Sequence, residues 1–428
     1  MEQEKVIKAA LLGFGTVGGG VYKLAGRLAD EMQKKAGARL EIKKILVRDM
    51  TKPREGVSPE LLTDDWNEIL SDPEIEIVIE LMGGIEPART YVSQALEAGK
   101  NVVTANKDLL AEYGGELLEK SKENGKDLQF EASVAGAIPV IRALKHSLSG
   151  SIITEVSGIV NGTTNYILTK MSEKGMDYQE ALQMAMEKGY AESNPEADVE
   201  GYDAGRKIAI MASIAFNSRV TFPQVYTEGI TKITAGDIRF AKEFGYVIKL
   251  LGIAKLEEGE ILVKVHPVLL PEDHPLASVR NSFNAVFIHG EACDDAMFMG
   301  RGAGEMPTAS AVIGDVIDVM GNIVHGCCGR TGCTCYKELK VKEIGDSASK
   351  YFLRLKVEDK PGVLANIAGV LGNNGVSIAQ VVQKKSENQV AELVIITDEV
   401  MEKNFNASIQ TVRQMTALKQ VASIIRVY

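Results

Sequence analysis

Apolar residues recur along the N-terminal third of the chain in short, nearly unbroken runs: KVIKAALL (Lys5 to Leu12), KKILV (Lys43 to Val47), IEIVIEL (Ile75 to Leu81), NVVTA (Asn101 to Ala105) and LQFEAS (Leu128 to Ser133). Runs of that length suit strands buried on both faces. Longer stretches with helical spacing separate them, the first expected from Thr16 to about Lys35. Strand and helix in alternation predict crossover connections and a mostly parallel sheet.

Beyond about Ala135 the rhythm changes. A strand, IITEVSGIV, is followed by helices expected near Thr163 to Lys174 and Tyr178 to Lys188, a loop from Gly189 to Gly201, and a helix from about Tyr202. Strands return at ILVKVHPVLL (Ile261 to Leu270) and NAVFIHG (Asn284 to Gly290), giving an α+β layer. A long helical run, PTASAVIGDVIDVMGNI, and a Lys-rich stretch, KELKVKEIGDSASK, precede a tail whose order reads βαββαβ, the ferredoxin-like arrangement. The expected division is 1–138 for the parallel-sheet domain, completed by 305–340, then 139–304 for an α+β domain, 341–350 for a linker and 351–428 for the tail.

Gly13-Phe14-Gly15-Thr16-Val17-Gly18 stands directly after the first strand and opens the first helix. In G-x-G-x-x-G the first glycine permits a tight turn, the second lets backbone approach a pyrophosphate, and the third allows close contact between helix and strand. The helix N-terminus offers its free N–H groups to the phosphates. Together with the alternation, this predicts a Rossmann-type, doubly wound dinucleotide-binding domain. The acidic residue that would hold a ribose 2′-hydroxyl is expected at the end of the second strand, but ILVRDM puts Arg48 there. Arginine suits a 2′-phosphate, so NADP is expected, with NAD possible and Lys52 as a helper. A solvated strand-end charge is the alternative for Arg48.

Net charge narrows the partners. A formal charge of −10 argues against nucleic acid or an anionic membrane, both of which need clustered Lys and Arg. The longest apolar runs are far shorter than the roughly 20 residues that cross a bilayer. The start is polar and then strand-like, so a cytoplasmic protein without a secretory signal is expected. A chain opening at the dinucleotide strand is not expected to carry a fused aspartokinase.

Asp203 and Lys207 lie four apart at the start of a helix, on one face. A carboxylate there can orient the amine, and a partly desolvated lysine can exchange a proton with a hydroxyl or carbonyl oxygen, which hydride transfer requires. A surface ion pair is the plain alternative. The surrounding residues go further. Ala185, Gly189, Tyr190, Ala191, Asn194, Pro195, Asp198, Val199, Gly201, Asp203 and Lys207 occupy every defined position of the homoserine dehydrogenase signature. The likeness also covers GFGTVG, TANK (Thr104 to Lys107), EASVAGAIP (Glu131 to Pro139), NGTTNYIL (Asn161 to Leu168) and GAGEMPTASAVIGD (Gly302 to Asp315). The first three-quarters of the chain thus resembles that family.

The resemblance implies reversible reduction of L-aspartate 4-semialdehyde to L-homoserine with NAD(P)H, with Lys207 exchanging the proton. It implies Glu192, Asp203 and Gly189 around the substrate, Lys107 near nicotinamide and substrate as a second candidate for proton transfer, and Thr104 and Gly304 beside the cofactor. It further implies a monovalent cation, sodium, held mainly by the backbone carbonyls of Glu131, Val134, Gly136 and Ile138, and a homodimer or homotetramer. The tail resembles an ACT domain, with Asp359, Pro361, Gly362 and Asn374 at its first loop and helix end, implying an amino-acid effector, threonine in this family. An assembly module that binds nothing is the other reading of the tail.

Four of the five cysteines crowd together as Cys327, Cys328, Cys333 and Cys335, a spacing that matches neither a zinc ribbon nor a thioredoxin motif, so reduced thiols are expected; Cys293 is expected to be a small core residue. None of the five histidines falls in a metal-ligand pattern. Two rivals remain at this stage. One is a dehydrogenase acting on another semialdehyde or hydroxy acid, and the other is a non-catalytic sensor, which would have no use for Lys107, Lys207, Glu192 and Asp203 together.

Overall fold

The computed structural model describes residues 5–330, 332–385 and 389–428. In chain order its elements are β1 Val6–Leu12, α1 Thr16–Arg27, α2 Ala29–Ala36, β2 Arg39–Leu46, β3 Leu62–Thr63, α3 Trp66–Leu70, β4 Ile75–Glu80, α4 Ala88–Glu97, β5 Asn101–Thr104, α5 Lys107–Glu123, β6 Leu128–Gln129, α6 Val140–Arg142 and β7 Ile153–Ile159. There follow α7 Gly162–Lys174, α8 Tyr178–Glu187, α9 Glu196–Val199, α10 Tyr202–Ala215, β8 Tyr226–Thr227, α11 Ala235–Glu243, β9 Tyr246–Glu257, β10 Glu260–Pro271, β11 Phe283–Gly290, β12 Asp294–Arg301 and α12 Glu305–His325. The tail holds β13 Ala348–Glu358, α13 Val363–Asn373, β14 Ile378–Lys385, β15 Val390–Thr397, β16 Val400–Met401, α14 Glu402–Arg413 and β17 Leu418–Val427. Among the described residues, no helix is long and apolar enough to cross a membrane.

The chain divides into two compact units. The first takes the chain up to Val156, then Ala209–Pro223 and Asn284–Leu339. Its six-stranded sheet has the order β3-β2-β1-β4-β5-β6 with every pair parallel. All four residues of β5 are buried and nearly all of β1 and β4, as expected for strands covered on both faces. The order reverses at β1, so the turn after β1 lies at the switch point where open α/β sheets bind ligands.

Residues Thr16 to Lys35 do not form one helix; α1 stops at Arg27 and α2 restarts at Ala29. The core-facing positions Leu24, Leu28, Met32 and Ala36 recur every four residues. In a straight helix each step of four overshoots a full turn by about 40°, and the break at Leu28 returns the stripe to the core. Helix α12 packs its buried face, Ala309, Val312, Ile313, Val316, Val319 and Met320, into the same core cluster.

The second unit comprises Ser157–Ile208, Gln224–Phe283 and Lys340–Tyr428. Its centre is the hairpin β9–β10, antiparallel over twelve residue pairs. The two-residue turn Glu258-Gly259 has φ of 52° and 82°, the left-handed geometry that matches strand twist. The C-terminal βαββαβ unit adds to this hairpin: β17 pairs in parallel with β10 at Val268↔Arg426 and Leu269↔Val427, and the order continues β13-β15-β14. The segment before it is tied down as well, since Lys342 N–H donates to the Ile261 carbonyl and Ile261 N–H to that of Lys340. Helices α13 and α14 bury Val363, Ile367, Leu371, Phe405 and Ile409 on the inner face of the tail's strands.

Candidate active site

In the first unit the glycine turn has the geometry its spacing predicts. Gly13 sits at φ 94°, and a Cβ there would come within 2.9 Å of the Leu81 carbonyl oxygen. At Gly18 a Cβ would meet the Gly13 oxygen at 2.3 Å, while at Gly15 it would meet nothing within 4 Å. Two glycines are therefore required by the protein's own packing. Gly15 is open toward whatever approaches the N-terminus of α1, where it is the N-cap and supplies no side-chain acceptor. Phe14 packs edge-on to Tyr22 with centroids 5.8 Å apart, and Thr16 and Val17 begin the helix.

The ends of the neighbouring strands are stitched together. Thr104, the last residue of β5, is buried and donates its hydroxyl to Glu80 Oε2 of β4 at 2.6 Å. Asn106 N–H donates to Thr104 Oγ1 at 3.0 Å, its side chain donates to the Gly84 carbonyl at 2.6 Å, and its Oδ1 caps α5 through Leu109 N–H. Burial pushes the Glu80 carboxyl up. Lys107 is thus the first residue of a helix whose start is fixed by Asn106. Past β2, Arg48 is exposed. Asp49 turns its carboxylate onto the N–H and hydroxyl of Thr51 at 2.8 and 2.6 Å, and Arg54 folds back to the carbonyls of Lys52 and Asp49.

The segment from Glu131 to Ile138 is enclosed by polar contacts. The Glu131 carboxylate accepts from the N–H groups of Ile141 and Arg142 at 2.9 and 2.8 Å, and its own N–H donates to Asp315. Burial raises the carboxyls of Glu131 and Asp315, the latter to about 7. Ala135 and Gly136 are both left-handed, at φ 56° and 55°. Gly136 presses against Arg301 and Gly302, where a Cβ would come within 2.6 Å of the Gly302 carbonyl. Gly302 in turn lies against the side chain of Asn284, whose buried amide has no partner on either atom among the described residues. Gly304 is the N-cap of α12 at φ 127°, a conformation L side chains rarely adopt.

In the second unit Lys207 and Asp203 are brought together with two residues that spacing alone did not single out. Lys207 Nζ donates to Asp203 Oδ2 at 2.7 Å and to the Val160 carbonyl at the end of β7 at 2.8 Å. Both side chains are nearly buried, 11% and 10% exposed, so this is not a surface ion pair. Asn161 caps α7 with its Oδ1, which accepts from Thr164 N–H, and its Nδ2 donates to Asp198 Oδ1 at 2.7 Å and Asp203 Oδ2 at 2.9 Å. One amide therefore holds two carboxylates beside one ammonium. Burial, and then the nearby charge of Asp203, push the Asp198 carboxyl up. Gly201, at φ 84°, closes the loop into α10 against Val265 and Thr227. The loop that starts at Gly189 is anchored by Thr163, whose hydroxyl donates to the Tyr190 carbonyl at 2.7 Å, and it carries Glu192 exposed.

Three family models match in sequence order: the NAD-binding domain of homoserine dehydrogenase over 13–131, homoserine dehydrogenase over 139–317 and an ACT domain over 351–415. A homoserine dehydrogenase of Corynebacterium glutamicum is 46% identical across 97% of this chain and 94% of its own length. The chain belongs to the homoserine dehydrogenase family. A solved homoserine dehydrogenase from Thiobacillus denitrificans superposes with a TM-score of 0.94 at 39% identity, covering 99% of both chains. A hyperthermophilic archaeal homoserine dehydrogenase in complex with NADPH superposes with a TM-score of 0.63 at 27% identity, over 73% of this chain and 97% of its own. The family's NAD-binding domain accounts for the glycine turn.

Asn161 could have been found from the sequence, because an Asn directly before a helical run is a typical N-cap. That its amide also faces two carboxylates depends on contacts between residues 37 and 42 positions apart, which no local pattern encodes. Glu80, bonded 24 positions away to Thr104, was equally silent for the same reason.

Proposed function

We propose that the chain interconverts L-aspartate 4-semialdehyde and L-homoserine with NADPH. The observation that carries this reading is the nearly buried Lys207, held between Asp203 and the Val160 carbonyl with a second carboxylate, Asp198, alongside. Two carboxylates to one lysine leave the cluster net negative, complementary to the substrate's α-ammonium group. When bound, the cofactor supplies a hydride to the aldehyde carbon. Lys207 donates the proton that the developing alkoxide needs and recovers it in the reverse direction. Asp203 keeps the ammonium oriented, and Glu192 with the loop from Gly189 covers the amino-acid end of the substrate. Lys107, at the carboxyl end of a parallel strand, is the second candidate for proton transfer.

NADPH is favoured over NADH by the turn after β2. Asp49 is occupied by Thr51, and Arg48, Lys52 and Arg54 supply positive charge for a 2′-phosphate. The NADPH complex of the archaeal relative supports the same preference. For the cation, the carbonyls of Glu131, Val134, Gly136 and Ile138 form a neutral oxygen set suited to a hard monovalent ion such as sodium. The unpartnered Asn284 amide near Gly136 and Gly302 is consistent with a polar occupant there. At the tail, a pocket lined by Val357, Asp359, Pro361, Gly362, Gln383 and Leu393 would take an amino-acid effector, threonine. The enzyme would work in the cytoplasm as a homodimer or homotetramer.

The test is a spectrophotometric assay with aspartate 4-semialdehyde, comparing NADPH with NADH, with and without threonine and sodium. Arg48→Ala should raise KM for NADPH about tenfold, the loss of one charge-assisted contact, and leave NADH unaffected. No oxidation of NADPH with this aldehyde would overturn the reading.

A further inference from the structure

The cysteine-rich segment after α12 takes no part in the reaction described above, yet the first unit builds a specific environment around two of its thiols. Cys333 Sγ accepts a hydrogen bond from the Arg219 guanidinium at 3.2 Å and another from the Cys335 N–H at 3.4 Å. Cys335 donates its own S–H to the Ser213 carbonyl at 3.4 Å. Both sulfurs line one small cavity with Phe130, Lys145, Ser213 and Arg219, and both residues are half-buried.

The two thiols differ in charge state. Hydrogen bonding from Cys335, with Arg219 and Lys145 nearby, brings Cys333 down to about 5. Cys335 moves the opposite way, because the adjacent Cys333 sulfur and then burial oppose loss of its proton. At neutral pH this leaves a thiolate beside a thiol. By contrast, burial pushes the Cys328 thiol up, and Cys327 donates to Asn322 Oδ1.

We propose that Cys333 and Cys335 are an oxidant-reactive dithiol, in which hydrogen peroxide is reduced at Cys333 and the pair closes to an intrachain disulfide. The Cys333 thiolate attacks one peroxide oxygen; the O–O bond breaks, Cys333 becomes a sulfenic acid and hydroxide leaves. The Cys335 sulfur then attacks the sulfenic sulfur. The S–O bond breaks, the S–S bond forms, and the departing hydroxyl takes the Cys335 proton to leave as water. The first step removes the negative charge that held the Cys335 proton, so it prepares the second. The Cys335 N–H contact holds the Cys333 sulfur against the backbone of the second cysteine.

The experiment uses the full-length reduced protein. Limiting hydrogen peroxide should remove two hydrogen masses and two titratable thiols, and peptide mapping should link Cys333 to Cys335. Cys335→Ser should stop at a sulfenic acid that dimedone captures at Cys333, and Cys333→Ser should leave the remaining thiols reduced over the same time. Arg219→Gln should slow the first step about tenfold, as expected when a cation is removed from beside a thiolate. Iodoacetamide at neutral pH should label Cys333 at least tenfold faster than Cys327 or Cys328. Equal labelling of the three, or a link that involves Cys327, Cys328 or Cys293 in place of Cys333, would overturn the proposal.

Discussion

Lys207 and Arg426 are both buried cations paired with carboxylates inside the second unit, their side chains 11% and 8% exposed. Their surroundings differ in how many bonds hold each. Arg426 donates to Glu402 through Nε and one terminal nitrogen, to Glu228 at 3.0 Å and to the Tyr226 hydroxyl at 3.2 Å, and Tyr351 adds its own hydroxyl to Glu402. Its guanidinium lies over the Tyr226 ring. Lys207 has two acceptors among the described residues for three N–H protons, and its carboxylate partner is shared with Asn161. A cation held by many bonds fixes a structure, whereas one held by few can take a substrate. Arg426 joins the tail's last strand to α14 and to β8 and the residue after it, whereas Lys207 makes half as many hydrogen bonds and is the more readily engaged by a reacting oxygen.

That contrast breaks most sharply by removing each cation in turn. Lys207→Met should lower kcat by about a thousandfold, within the usual range for a general acid, and, by leaving Asp203 to the Asn161 amide, lower the unfolding transition as well. Arg426→Met should act on stability alone. It strands Glu402 and Glu228, a change that costs about 3–5 kcal/mol in a buried pair, read as a lower denaturant midpoint, while kcat per folded molecule stays close to the parent's. A Lys207 variant that keeps its turnover would remove the distinction, as would an Arg426 variant that unfolds no earlier.

A smaller effect tests the second carboxylate, Asp198. Burial and Asp203 raise Asp198 in the folded chain. A carboxyl raised by folding is favoured when neutral, so its contribution is present at low pH and lost as pH rises from the ordinary carboxylate range through the raised value. Asp198→Asn retains an oxygen acceptor for Asn161 but cannot ionise. Urea midpoints measured across that interval should therefore fall for the parent relative to the variant. A constant difference would mean that Asp198 ionises in the fold as it does in the unfolded chain.

The two regions were also unequally legible in the sequence. The glycine turn, the parallel-strand runs and the order of the tail follow from local periods of two and 3.6 residues, and all recur in the structure because burial enforces those periods. Asp203 and Lys207 were legible because four residues is one helical turn. Asp198 entered as a signature position and Asn161 within a quoted segment, but their contacts act across a loop and a strand end, and the Arg426 network gathers residues up to 200 positions apart, so spacing carried no trace of either set of contacts. Strands β9 and β12 also passed unnoticed. The run KLLGIAKLE in β9 mixes lysines with apolar residues, and Lys249 there is buried on Asn165 and the Val279 carbonyl, which disguises a core strand as an amphipathic one.

The finest test of the comparison is Tyr351→Phe, which removes a single oxygen from the Arg426 network. The ring would keep its stacking on Phe405, with centroids 3.6 Å apart and planes within 5°. Only the hydroxyl that donates to Glu402 is lost. Because Arg426 still gives Glu402 two hydrogen bonds, the carboxylate is not stranded, and the loss should be about 1–2 kcal/mol, well below that for Arg426→Met. In a network where each bond polarises the next, the two substitutions should not add: once Arg426 is gone, Tyr351 is the remaining donor to a buried charge, and removing it should cost more than it does in the parent. A strictly additive double variant would mean that the tyrosine and the arginine hold Glu402 independently. Strands β13 and β17 would then be tied to α14 by separate bonds and not by one cooperative network.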